Sequence, residues 1–171
     1  MSKLTALLAA LLALSLSADA ALAKSQSRVK SAGCPSVTVL GDAKRLTQMQ
    51  DGRIDLKAEI RSPALTCSIA GDKAHSRLSF SVKSAIAPSS TVAMRSVPYF
   101  VAIISQGQVI GKEVFNLALP FAGAKRMLTV KEYVERIDIP IAAEKSADDY
   151  AVTIGFQLTP EQVEYNRTAS R

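Results

Sequence analysis

The sequence predicts an all-β fold, an antiparallel β-sandwich of immunoglobulin-like kind closed by a short C-terminal helix. Three observations carry this. From Cys34 onward the apolar residues recur with a period of two rather than 3.6. The stretches that do so, seven or eight of them, follow one another every 10–15 residues or so, the rhythm of a two-sheet sandwich. The one clear helix signal stands at the end, where Thr159, Pro160 and Gln162 occupy the cap, first and third positions of a capping box.

The elements follow in order. Residues 36–40 form a short strand that Gly41 and Asp42 end. In residues 53–61 Ile54, Leu56, Ala58 and Ile60 point one way and five charged residues the other, a strand with one buried and one solvated face. A separate strand at 66–70 is expected after Ser62-Pro63, and 77–87 alternates again through Leu78, Phe80 and Val82. Residues 97–104 are apolar on both faces and belong at the centre of a sheet, with Pro98 at the strand's start, where its missing N–H matters least. A turn at 105–108 leads into a strand over 109–119, and Pro120, Gly123, Lys125 and Arg126 form a loop. Residues 128–141 read as strand, with a helical turn at 129–133 as the alternative. Residues 150–158 give the clearest strand, with Tyr150, Val152, Ile154, Phe156 and Leu158 on one face.

Ahead of this domain, residues 1–23 have the form of a cleaved signal peptide. Lys3 precedes an apolar run over 4–16, and small residues lead to Ala21-Leu22-Ala23, with a second cut possible after Ala20. The run is shorter than the ~20 residues a spanning helix needs. Residues 24–33 are a flexible basic lead-in, which leaves a single domain over 34–171. No later segment is apolar for long enough to span a membrane as a helix, so a periplasmic protein with no transmembrane segment after cleavage is expected. Cleavage removes one cation, Lys3, and one anion, Asp19, so the net charge of +6 persists.

In an exported chain, Cys34 and Cys67 read as one disulfide closing a 33-residue separation. The chain has no tryptophan and both cysteines precede residue 70, so this is not the inter-sheet pin of an antibody domain. The competing reading makes Cys34 a lipidated N-terminus and the protein an outer-membrane lipoprotein. Against it, Ser31 stands where a lipobox carries Leu, and Lys24, Arg28 and Lys30 separate the apolar run from Cys34.

Catalytic equipment is sparse. His75, the one histidine, lies in a polar turn with no evident partner, and no Gly-x-Ser-x-Gly elbow is present. Glu144, Asp148 and Asp149 lack the spacing of a calcium loop. No catalytic residue, cofactor or metal site is therefore expected. The pI near 9.5 suits a nucleic-acid binder. Export argues against one, and along the chain the cations are dispersed among Asp55, Glu59 and Glu113. An anionic envelope surface, or another envelope protein, is the expected partner.

Cys34-Pro35, the stretch from Val97 to Ala102 with Lys112 after its hairpin, and the ending from Gly155 to Gln162 with Tyr165-Asn166-Arg167 resemble a group of small exported, often lipoprotein-like proteins of alphaproteobacteria. The resemblance covers 34–167 and implies no activity. Tyr99, Tyr165, Asn166 and Arg167, from these motifs, are the candidate interaction residues. The expected function is a non-enzymatic periplasmic envelope module for binding or assembly. The alternative is a small periplasmic hydrolase or ligand-binding protein whose groups meet only in the fold.

Overall fold

A computed structural model describes residues 33–123 and 125–169. The expected signal peptide (residues 1–23) and the expected lead-in before Gly33 lie outside the described residues. Two four-stranded sheets pack face to face. The strands are β1 (Ser36–Val39), β2 (Arg45–Gln50), β3 (Arg53–Ala70), β4 (Lys73–Ile86), β5 (Met94–Ser105), β6 (Gln108–Pro120), β7 (Met127–Pro140) and β8 (Tyr150–Phe156). One sheet has the order β1-β8-β5-β6 and the other β2-β3-β4-β7, and the helix α1 (Pro160–Ala169) follows β8. The pairings are antiparallel except β1 with β8, which is parallel. An all-β two-sheet sandwich with a short C-terminal helix is thus as the sequence predicts, and its connections are a meander of β2, β3 and β4 in one sheet and a β5–β6 hairpin in the other.

Alternation explains the core. Leu56, Ala58 and Ile60 of β3, Leu78, Phe80 and Val82 of β4, and Val152, Ile154 and Phe156 of β8 are buried between the sheets. Three rings bridge the layers. Tyr99 lies edge-on to Phe80 of the opposite sheet at 5.2 Å and stacks on Phe115 of its own at 5.3 Å, both favoured aromatic geometries.

Several elements differ from the sequence-based expectation. β2 had no strand signal strong enough to be singled out, yet it pairs along β3 and forms the sheet's edge. Its hairpin turns through Asp51 and Gly52, both at positive φ, the requirement of a tight two-residue turn. The two strands expected at 53–61 and 66–70 are one strand, β3. Ser62-Pro63 interrupts only its register with β4, between Arg61 and Ala64, and Ser62 takes a φ of 49°. A bulge absorbs the proline without ending the strand. Pro98 is the fifth residue of β5 rather than its first. It lies just past the end of the β5–β8 ladder, whose last pair is Tyr99 with Phe156, so the N–H it lacks is not needed there. Residues 129–133 are strand throughout.

The Cys34–Cys67 disulfide is present. It ties the residue two before β1, in one sheet, to β3 of the other, so it joins the layers at their edge rather than through the core. At the opposite end of the chain the capping box forms as written. The Thr159 N–H donates to Gln162 Oε1 at 3.0 Å, and the Gln162 N–H donates to Thr159 Oγ1 at 3.3 Å.

Candidate functional site

Register determines what lies on the solvent face of the β2-β3-β4-β7 sheet. Thr47, Lys57, Ala85 and Met127 form one cross-strand row, and Arg45, Glu59, Lys83 and Thr129 the next. Arg61, Ser81 and Lys131 form a third. The core-facing neighbours Leu46, Ala58 and Val82 are buried, so these rows look outward.

The helix α1 stands on this face beside β2. Its contact is built largely from hydrogen bonds. Asn166 Nδ2 donates to the carbonyls of Asp42 and Arg45 at 2.9 and 2.8 Å, and Gln162 Nε2 donates to that of Thr47 at 3.3 Å. Arg167 pairs with Asp42 at 3.0 Å. Because the helix contacts run from Thr47 back to Asp42 as its own numbering rises, it lies antiparallel along β2. Between helix and sheet is a groove of about 370 Å³, lined by Arg45, Lys57, Glu59, Arg61, Lys83 and Tyr165 among others.

The groove is electropositive. Its one carboxylate, Glu59, is held by Arg61 at 2.6 Å and Lys44 at 3.3 Å, and the Arg61 hydrogen bond in particular keeps its pKa below the ordinary value. The side chains of Arg45, Lys57 and Lys83, and of Lys131 beyond them, have no ion-pair or hydrogen-bond partner among the described residues. The expected dispersal of cations is therefore corrected. Dispersal along the chain becomes concentration on one face, because alternate residues of neighbouring strands meet there. Of the acids, Asp55 is engaged by Arg95, Glu113 belongs to β6 in the other sheet, and only Glu59 accompanies these cations. Counting charges by strand face rather than along the chain is the signal that would have found Lys83 and Lys131.

The other candidates fall as follows. Tyr99 is 1% exposed, in the core, and its hydroxyl donates to Glu132 at 3.0 Å, so its ring is closed to a partner. Tyr165 is 37% exposed on the groove wall. Asn166, 9% exposed, anchors the helix, and Arg167 sits outside it with Asp42. His75 shares a cross-strand row with Ser68 and Asp138 farther along the same face. Its Nδ1 meets Asp138 Oδ1 at 2.6 Å, and this bond and Arg136 hold the Asp138 carboxyl below its usual range. Ser68 makes no hydrogen bond to His75. Asp149 and Ser146 form the capping box of a 3-10 turn (Ala147–Asp149), where the Ser146 N–H donates to Asp149 Oδ2 at 2.8 Å, and Asp148 accepts from the Ser146 hydroxyl. Among the described residues, no helix is long and apolar enough to cross a membrane.

Comparison with protein-family models, with curated proteins and with solved structures gives no match.

Proposed function

We propose that this is an exported, non-enzymatic binding module of the cell envelope that takes an anionic component in the groove between α1 and β2–β4. One observation carries the reading: the Arg45, Lys57 and Lys83 side chains line a concave site with no partner among the described residues, while its lone acid is already held by Arg61 and Lys44. Unneutralised cations in a concave site focus potential and attract anions. The disulfide supports an oxidising compartment such as the periplasm. His75, bonded to Asp138 on an open sheet face and not to Ser68, supports binding over hydrolysis.

Retention on a carboxylate-bearing resin tests the reading. The Lys57→Ala/Lys83→Ala variant should elute at clearly lower salt than the parent, while Arg53→Ala/Lys125→Ala, which loses the same charge elsewhere, should elute later than that variant. Equal elution of the two variants would reduce the effect to net charge and sink the site.

A further inference from the structure

The ligand class can be read from how the cations repeat. Along the strands, outward residues recur every ~6.5–7 Å, twice the rise per residue. Lys57 occupies the first row of the groove floor and Arg45 and Lys83 the second, while in the third Lys131 stands just beyond the groove beside Arg61, which Glu59 already pairs. Positive charge therefore climbs the sheet in successive steps. The helix runs beside these rows and walls them on the β2 side. A single small anion can satisfy only one step. A ligand with anionic groups in series meets all three.

We propose that the groove binds an extended polyanionic glycan, a chain of sugars bearing carboxylate or phosphate groups, laid along α1 with its charges on successive rows. This rests on the anion-binding reading above. A lipid bilayer fits less well: α1, about 10 Å across with its side chains, stands above the floor, and a planar surface would meet it before Arg45 and Lys57. Single-stranded nucleic acid usually stacks its bases on several aromatic rings, and the groove lining holds one, Tyr165. One ring on the wall suits the apolar face of a sugar, with the cations reading the charges.

The test compares four probes by titration with the purified protein: an oligogalacturonate of about ten sugars, galacturonic acid at the same carboxylate concentration, vesicles of phosphatidylglycerol, and an oligothymidylate. The oligogalacturonate should bind at least tenfold more tightly than the monomer, and more tightly than vesicles or oligothymidylate. Its affinity should fall about 10- to 100-fold between 50 and 200 mM salt, as roughly three or more ion contacts require. Lys83→Ala, a change at an exposed side chain, should weaken binding several-fold and lower the salt slope by about 1 with the melting temperature unchanged. Tyr165→Ala should weaken the oligosaccharide further without altering that slope. Equal binding of monomer and oligomer, or preference for vesicles or oligothymidylate, overturns the glycan inference while leaving anion binding standing. No binding by any probe overturns both.

Discussion

Ala43 closes directly over Gly155. A β-carbon built at position 155 would lie 2.7 Å from Ala43 Cβ and 3.0 Å from two ring carbons of Phe100. Ala43 belongs to the 3-10 turn (Gly41–Ala43) that carries the chain from β1 in one sheet to β2 in the other. With Phe100 and Ala102 it forms a small second core on the outside of the β1-β8-β5-β6 sheet.

Glycine weakens a strand by roughly 0.5–1 kcal/mol relative to alanine on backbone grounds alone. At this position the sign should reverse. Gly155→Ala should destabilise by about 1–3 kcal/mol, the usual result of overpacking, and Ala43→Gly in the same chain should recover part of the loss. Chemical denaturation of the two single variants and the double variant reads the coupling. A neutral or stabilising Gly155→Ala would show that the contact is not rigid.

The Cys34–Cys67 bridge should contribute about 3–4 kcal/mol, the chain-entropy value for a loop of this size. Denaturation midpoints with and without reductant, alongside Cys67→Ser, should show the same loss. An intact mass two hydrogens below the reduced chain, with no acyl group, would also separate the disulfide from a lipidated Cys34.

Tyr99 gives the protein an alkaline dependence. Burial first, then the Glu132 carboxylate beside it, raise its hydroxyl pKa above the ordinary 10.0. A raised pKa means that the folded chain holds the proton more tightly than the unfolded chain. The resulting stability is complete below about pH 10 and falls as pH climbs above it, by at most about 1.4 kcal/mol per unit for one group. Tyr99→Phe should cost about 1–2 kcal/mol near neutrality through the lost hydrogen bond, and its stability should decline less steeply than the parent's between pH 10 and 12. Parallel slopes would remove Tyr99 as the cause.

Much of the fold was legible because alternation is a local signal. β3, β4, β5 and β8 each show it within a few residues, and the capping box at Thr159 needs only four positions. β2 was not, since Arg45–Gln50 has one buried leucine and takes its strand character from pairing with β3 and cover by α1. The bulge at Ser62-Pro63 looked like a strand boundary because a proline's tolerance depends on the neighbour it faces. The groove was least legible of all. Lys57, Lys83 and Arg45 are 12 to 38 positions apart in sequence and become neighbours through register alone. Asn166 was picked out, but its role as the anchor of α1 depends on the two carbonyls it meets across the molecule.

The parallel pairing of β1 with β8 also constrains the order of events during folding. Thr38 reaches Thr153 across 115 residues, so the strand nearest the N-terminus finds its sheet only when the final strand exists. Closing so long a loop is entropically slow. The β2–β3, β3–β4 and β5–β6 hairpins can all assemble sooner. A disulfide made at that earlier stage, between Cys34 and the already paired β3, would hold β1 beside the half-built sandwich until β8 arrives. The bridge would then act as a tether during folding as well as a brace in the finished fold, and refolding under reducing conditions should be slowed at this last docking step.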